Sequence, residues 1–174
     1  MSKAEKTHYR KVFKSDHLGS ADLEEFIEEK KPLVFTIKEV RQEYGTKVAG
    51  RKIDANIAYF EESIKPLVLN ATNSKIVKGL SGGSPFVEDW KGILVELYID
   101  KMVKMKGEVV GGIRIKEEPP KVLNAEEVEA VKSKINSCHT TRELTLIYNS
   151  ENGVKINKEL VALIRTKANE LKEV

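Results

Sequence analysis

Cysteine and aromatic residues are scarce in this chain of 174 residues, and neither sign of charge is in large excess. The single cysteine, Cys138, excludes an intramolecular disulfide and a cysteine-based zinc site. The three histidines, His8, His17 and His139, show no spacing typical of metal ligands. The 30 basic and 27 acidic residues exclude a strongly basic coat protein for nucleic acid, although they allow a local basic patch.

Long hydrophobic runs are also missing. Residues 1–20 carry positive charge but no apolar stretch of signal-peptide length, and no run reaches the roughly 18 apolar residues of a membrane helix. We therefore expect a cytoplasmic protein without membrane contact, where an unpaired cysteine is ordinary. With 40% hydrophobic and 33% charged residues, the composition predicts a folded chain rather than a disordered one.

The sequence pattern changes at Glu117-Glu118-Pro119-Pro120. Before this point the apolar residues mainly alternate, as in strands, and after it they recur with helical spacing. Two successive prolines continue neither a strand ladder nor a helix. We therefore predict a β domain over residues 1–118 and a C-terminal helical region over residues 121–174.

Five strands and two helices are predicted in the β domain. The first helix covers 20–27 with Ser20 as its cap, and the second, capped by Thr72 or Asn73, lies between the third and fourth strands. Residues 44–52 are predicted to form a loop, and Gly111-Gly112 a bulge or tight bend in the last strand. The predicted strands cover residues 33–41, 57–61, 65–69, 93–100 and 108–116.

This order of elements is typical of an oligonucleotide/oligosaccharide-binding (OB) barrel, which has five strands. We therefore predict a mainly β, α+β chain: a small curved five-stranded OB-like barrel followed by a short C-terminal helical unit. A β-sandwich or a half-barrel is also compatible with the pattern.

Three short helices are predicted in the C-terminal region, beginning after Asn124, Thr140 and Asn157. Asn124 is a candidate cap, with Glu127 at the capping-box position. Each helix has about three turns or fewer and is marginal alone, so we expect the helices to pack on one another or on a partner. A protein partner, or self-association through helices within 125–173, would use the apolar line Leu160, Val161 and Ile164.

Enzyme signatures are absent from the sequence, and we predict a protein that is not an enzyme and needs no cofactor or metal. Residues 78–84 are rich in glycine but lack the Gly-Lys-Ser/Thr ending of a phosphate-binding loop. The acidic pairs Glu61-Glu62 and Glu88-Asp89 are more typical of solvated turns than of general acids or magnesium ligands. A magnesium-dependent nuclease built on these pairs is the least favoured alternative.

Basic residues near aromatic residues favour single-stranded nucleic acid, which needs phosphate neutralisation and surfaces for base stacking. Trp90 is interpreted as a packing anchor rather than a stacking surface. Tyr98 and Tyr59 are assigned to base stacking from a set of aromatic candidates that also contains Tyr44, Phe60 and Trp90. The candidate phosphate-binding residues are Lys101, Lys104 and Lys106, then Arg114 and Lys116 on the following strand, and Arg51 and Lys52 beside Lys47 in the predicted loop.

Three segments resemble small proteins encoded by phages and prophages in replication and recombination modules. The segments are 65–73 (Lys-Pro-Leu-Val-Leu-Asn-Ala-Thr-Asn), 87–92 with its Trp-x-Gly turn, and 96–115, which ends in Ile-Arg-Ile. The resemblance covers roughly residues 10–118 and implies a DNA-metabolism role in the cytoplasm of a bacterial host. Asn70, Thr72 and Asn73 within it are interpreted as helix-capping residues rather than ligand contacts. The chain ends in Leu-Lys-Glu-Val and lacks the acidic, Phe-ended tail of ordinary bacterial single-stranded DNA-binding proteins.

Two hypotheses follow. In the first, the chain is a phage-type single-stranded DNA-binding accessory protein, in which the basic residues above neutralise phosphates while Tyr98 or Tyr59 stacks a base. In the alternative, it is a protein-interaction module that modulates a phage or host enzyme and docks through its helical tail.

Overall fold

The computed structural model describes residues 15–48, 50–105, 108–109, 111–151 and 153–172, with the backbone alone described at 104–105 and 108–109. The chain divides into two compact units, Met1–Pro119 (unit 1) and Pro120–Val174 (unit 2). The division falls between the two prolines that interrupt the sequence pattern. No helix in the described ranges has the length and apolar character needed to cross a membrane.

Unit 1 is an antiparallel sheet with two helices, so the chain as a whole is α+β. The helices are α1 (Ser20–Glu28) and α2 (Ala71–Leu80), and a 3-10 turn covers Val87–Asp89. The strands are β1 (Val34–Val48), β2 (Arg51–Phe60), β3 (Leu67–Leu69), β4 (Ile93–Asp100), β5 (Lys104–Met105), β6 (Glu108–Val109) and β7 (Gly112–Ile115).

Five of these strands form the main sheet in the order β3-β2-β1-β4-β7, and every neighbouring pair is antiparallel. β5 and β6 form a separate two-stranded ribbon. The helix predicted between the third and fourth strands of the sheet is confirmed as α2. The pairing found among the described residues leaves β3 and β7 as the two edges, so the sheet is open rather than closed into a barrel.

The core of unit 1 lies mainly on one face of the sheet, because buried side chains alternate along β3, β4 and β7. β2 departs from this pattern, since the adjacent Ile57 and Ala58 are both fully buried. In β4, Val95 and Leu97 are almost fully buried while Tyr98 is exposed. α1 adds Phe26, whose ring meets the ring of Phe35 edge to face at 5.6 Å between centroids. The interpretation of Trp90 as a packing anchor is confirmed, because only 4% of this residue is exposed and its indole Nε1 donates to the Ser84 carbonyl at 2.9 Å.

The amide of Asn73 completes the free edge of β7. Asn73 is fully buried in the first turn of α2, where its Nδ2 donates to the Ile113 carbonyl at 3.1 Å and its Oδ1 accepts from the Ile115 amide at 3.2 Å. These backbone groups face away from β4, because β4 bonds the alternate residues, such as Lys116, whose amide donates to the Glu96 carbonyl. One side chain therefore supplies the hydrogen bonds that a further strand would supply.

The prediction of a loop over residues 44–52 is wrong. β1 continues to Val48 and β2 begins at Arg51, so this region is a tight hairpin. The register shifts between Glu43 and Thr46, where Gly45 has φ +63° and its amide donates to Asp54 Oδ1 at 2.8 Å. The glycine that favoured a loop in the sequence therefore lies in a β-bulge within the strand.

The predicted closing strand over residues 108–116 is divided in two. β6 pairs with β5, whereas β7 pairs with β4 after an interruption at Gly111, which has φ +67°. A Cβ on Gly112 would lie about 3.2 Å from the methyl groups of Val103, so the chain is closely packed there. The bend predicted from the glycine pair is present, and it is sharp enough to end the ladder.

The helix caps of unit 1 differ from the prediction by one to three residues. Gly19 is the N-cap of α1, and the carboxylate of Asp22 accepts its amide at 2.8 Å. Asn70 caps α2, with its Oδ1 accepting from the Asn73 amide at 2.9 Å, so Thr72 and Asn73 lie inside the helix. The capping interpretation therefore holds for Asn70 alone, while Asn73 serves β7.

Unit 2 consists of α3 (Ala125–Asn136), α4 (Thr141–Ser150) and α5 (Lys158–Glu170) with a 3-10 turn at Val154–Ile156. The predicted starts are confirmed, because Asn124, Thr140 and Asn157 each accept a backbone amide of the following helix. The helices bury their own core, which consists of Val131, Ile135, Cys138, Leu144, Val154 and Leu160. Burial raises the pKa of the Cys138 thiol, as expected for a structural cysteine.

Candidate nucleic-acid interface

A two-stranded ribbon, which we call the arm (residues 43–55), projects beyond the rest of the sheet. β4 pairs with β1 only over Val34–Ile37, and β3 pairs with β2 only over Asn56–Ala58. Among the described residues, the arm strands therefore pair only with each other. Val48 pairs with Arg51 at the end of the arm, and Gly50 beside this pair has φ +80°.

Three cations lie at the tip of the arm. Lys47 and Lys52 occupy directly paired positions on neighbouring strands, and Arg51 adjoins them on the opposite face by strand alternation. All three residues are exposed, and none forms an ion pair with a described residue. Like charges directly opposite each other destabilise a strand pair, so folding alone does not favour this arrangement, whereas an anionic ligand would.

Among the described residues, Tyr44 has the most exposed large apolar side chain, at 77%. It lies at the bulge beside Gly45, where the hydrogen bond from Gly45 to Asp54 fixes the backbone. Ile53 on the facing strand is also exposed, at 37%. The arm therefore offers both cations and an accessible aromatic ring.

Tyr59, a predicted stacking residue, lies on β2 beneath the arm and is held by charged neighbours. Its hydroxyl donates to Glu43 Oε1 at 2.6 Å, and the Arg41 guanidinium lies 4.8 Å from its ring centroid. Arg41 in turn forms an ion pair with Glu39. The hydrogen bond to Glu43, reinforced by burial, raises the pKa of Tyr59 above its usual value. One face of the ring is thus covered by a guanidinium that is itself exposed to solvent.

Replacing Glu43 with alanine is expected to lower the pKa of Tyr59, because the carboxylate accepts the phenol proton and repels the phenolate. An absorbance titration of the phenolate band should show a component of the wild-type protein above the usual tyrosine range, and this component should move down in Glu43→Ala. Because the pKa of Tyr59 is raised on folding, this tyrosine adds to the free energy of unfolding below its unfolded pKa. That contribution is lost as the pH rises through its folded pKa. The control Tyr59→Phe should remove the component altogether, and its persistence would contradict the assignment.

Tyr98, Arg114 and Lys116 lie together on the outer face of β4 and β7. Tyr98 and Arg114 are directly paired across the two strands, and Tyr98 is 41% exposed. Both cations face a carboxylate, however. Arg114 Nε lies 3.8 Å from Asp100 Oδ2, and Lys116 Nζ lies 2.7 Å from Glu96 Oε1. The predicted basic face is therefore a surface of paired charges.

The remaining predicted cations lie on the connection between β4 and β7. Lys101 is exposed in the turn that follows β4 and has no ion pair with a described residue. Lys104 lies in β5, and only its backbone is described. Lys106 lies outside the described residues.

The sheet register separates the predicted residues into two groups. β4 pairs with β1 only from Val34, opposite Glu96, to Ile37, opposite Ile93. The second half of β4 therefore extends beyond the first residue of β1, whereas the arm extends in the opposite direction, beyond Ile37. Arg51 and Lys52 therefore lie at one end of β1, and the β4–β7 group lies at the other. Lys47, named beside Arg51 and Lys52, and Tyr44, one of the candidate aromatic residues, belong to the arm group.

Other sequence candidates have structural roles. Phe60 and Trp90 belong to the core, so neither ring is available for stacking. Glu62 accepts the Thr36 amide at 2.9 Å, and Asp89 accepts the Ser84 hydroxyl. Within the part of the chain that the structure describes, no three His, Cys, Asp or Glu side chains converge in a way that could hold a metal ion.

The apolar line predicted for partner docking faces the interior of unit 2. Leu160 is fully buried, and Ile164 packs against the same core. Val161, the third residue of the line, is half-buried. The surface required by the interaction-module hypothesis is therefore largely used within the unit itself.

Comparisons with known proteins identify no relative: the chain matches no protein family, no curated protein and no solved structure.

Proposed function

We propose that the protein binds single-stranded DNA and that the arm is its main contact. The observation that carries this proposal is the opposed pair Lys47 and Lys52 with adjoining Arg51, all exposed and without a carboxylate partner among the described residues. A single strand needs cations along its backbone and rings for its bases. Tyr44 supplies an exposed ring on the same ribbon.

The proposal includes an OB-like role for the open sheet. OB folds bind oligonucleotides on the face of strands 2 and 3 and on the loops joining strands 1–2 and 4–5 of the barrel. In this proposal the arm takes the 1–2 position, and the connection with Lys101 and Lys104 takes the 4–5 position. Tyr59 lies on the second strand, where a base stacks on the Arg41 guanidinium that covers the ring.

The biological role in this proposal is that of an accessory protein in phage DNA replication or recombination, in the cytoplasm of a bacterial host. It rests on the resemblance of residues 65–73, 87–92 and 96–115 to proteins of such modules. The protein acts by binding alone, with no cofactor and no catalytic step. Arg114, Lys116 and Tyr98 form a secondary surface, on which phosphates compete with the partner carboxylates.

Fluorescence anisotropy with a labelled single strand tests the proposal. Binding should be tight at low salt and should weaken steeply as salt rises, by about 0.7 log units per phosphate contact for each log unit of salt. An unlabelled single strand should displace the labelled strand from the arm more effectively than the same amount of duplex does. Absence of single-strand binding at low salt would contradict the proposal.

A further inference from the structure

The outward face of α5 carries a row of exposed side chains that the proposed function does not use. Successive residues of a helix are rotated by about 100°, so positions spaced by four and three residues lie above one another. The buried Leu160 and the core residue Ile164 lie on the opposite side of the helix. The exposed row, which we call the α5 stripe, comprises Lys158, Ala162, Arg165, Asn169 and, just past the helix end, Lys172.

The cations of the α5 stripe have no carboxylate partners among the described residues. The acidic residues of the same helix are engaged elsewhere. Glu159 forms an ion pair with Lys132 at 2.6 Å, and Glu170 lies 3.7 Å from Lys167. Both acidic residues lie to one side of the stripe, so the stripe itself is purely basic.

Arg142 and Lys155 also form no ion pair with a described residue, but they lie on separate elements, whereas the stripe lines up three cations on one helix face. Basic and acidic residues are nearly equal in number in unit 2. The lysines outside the stripe that form ion pairs are each matched to a glutamate: Lys121 to Glu127, Lys132 to Glu129 and Glu159, Lys134 to Glu151, and Lys167 to Glu170. A nearly neutral unit therefore presents a positive ridge along one helix, which is complementary to a polyanion.

We propose that the α5 stripe binds duplex DNA, with the helix lying in the major groove. The major groove of B-DNA admits an α-helix, and cations at every seventh position, about 10 Å apart along the axis, reach phosphates on its walls. Ala162 and Asn169 lie between the cations and are small enough to let the helix approach base edges. Asparagine is suited to pair with adenine, and an alanine methyl contacts the thymine methyl.

Duplex RNA fits this surface less well, because its major groove is deep and too narrow for side chains to read. The duplex site lies on unit 2 and the arm on unit 1, so the two sites have separate residues. The inference thus goes beyond single-strand binding and stands or falls independently of it.

The test measures binding of the full chain to a short labelled DNA duplex at several salt concentrations. The variant Lys158→Gln/Arg165→Gln/Lys172→Gln should bind at least about tenfold more weakly than wild type. The slope of its log affinity against log salt concentration should be smaller in magnitude than that of wild type by about 2.7. Far-UV circular dichroism checks that the variant is folded, which its exposed positions favour.

The matched control Lys121→Gln/Lys134→Gln/Lys167→Gln removes the same charge from lysines that are already paired, and should bind within about twofold of wild type. Equal losses in the two variants would overturn the proposal, because net charge would then explain the binding. No duplex binding by wild type, equal competition by duplex RNA, or binding to phosphatidylserine vesicles in place of DNA would also overturn it. A wild-type chain that binds duplex but not single-stranded DNA would contradict the proposed arm function and leave this inference standing.

Discussion

Replacing Lys47, Arg51 and Lys52 together with glutamine is expected to weaken single-strand binding by about 100-fold at low salt. Each phosphate contact contributes about 0.7 to the slope of log affinity against log salt, so the loss of three contacts should reduce the slope by about 2. Anisotropy titrations of wild type and variant at a series of salt concentrations measure both quantities. This change should exceed that of any other triple neutralisation in unit 1.

Stability should move in the opposite direction to binding. The variant removes the repulsion between Lys47 and Lys52, which are paired across the arm, so its free energy of unfolding should stay equal to that of wild type or rise by a few tenths of a kcal/mol. Trp90 is the only tryptophan and is buried in unit 1, so its fluorescence follows the unfolding of this unit specifically. Weaker binding accompanied by lower stability would indicate damage to the fold rather than loss of a contact.

The variant Lys101→Gln/Arg114→Gln/Lys116→Gln has the same change in charge and serves as the comparison. Because Arg114 and Lys116 already face carboxylates, we expect its binding to weaken much less than that of the arm variant. A larger loss in this variant than in the arm variant would contradict the arm as the main contact. It would instead favour the β4–β7 surface that the sequence predicts.

The contrast between β4 and the arm shows which strands a single sequence reveals. The alternation of Ile93, Val95, Leu97 and Ile99 matches a half-buried strand, and β4 has the predicted bounds. The arm lacks such a pattern because both of its faces meet solvent, so nothing selects apolar residues at alternate positions. Its glycines and charges therefore resemble a loop, although the residues belong to a hairpin with a bulge at Gly45.

Part of the candidate site can be predicted from the sequence alone. Residues 47–52 read Lys-Val-Ala-Gly-Arg-Lys, and a hairpin in which Val48 pairs with Arg51 places Lys47 opposite Lys52. That signal could have identified the opposed pair. The pairing of Lys116 with Glu96 is different, since it depends on which strands are neighbours and in what register. Composition around Lys116 therefore exaggerates the positive charge that this surface presents.

The C-terminal helices were predicted best because their signals are local. An Asn or Thr that caps a helix and an acidic residue three positions later interact within one turn, so Asn124 with Glu127 and Thr140 with Glu143 need no tertiary information. The role of Asn73 has no local signal. Its partners Ile113 and Ile115 lie 40 and 42 residues away, and only the fold brings them together.

Asn73→Ala is expected to cause the largest loss of stability of any single polar substitution discussed above. It leaves the Ile113 carbonyl and the Ile115 amide buried without a partner, and each unsatisfied group costs about 1–3 kcal/mol. We therefore expect the free energy of unfolding of unit 1 to fall by about 2–5 kcal/mol. Urea denaturation followed by Trp90 fluorescence measures this change.

Asn70→Ala is the matched control, because it removes an asparagine from the same helix end. Asn70 makes a single capping bond, to the Asn73 amide, and loss of such a cap costs about 1 kcal/mol. Equal effects of the two alanine substitutions would contradict the role of Asn73 at the edge of β7.

Asn73→Asp separates the lost hydrogen bond from the lost volume. A carboxylate still accepts the Ile115 amide but cannot donate to the Ile113 carbonyl, whereas a protonated carboxyl group can do both. Burial beside a carbonyl should raise the pKa of the new carboxyl group above its unfolded value. The stability that protonation restores is then present below the unfolded pKa and lost as the pH rises through the folded value. Denaturation at a series of pH values should show this variant approaching wild type in acid while Asn73→Ala does not, because the alanine side chain has no group that can close the edge of β7.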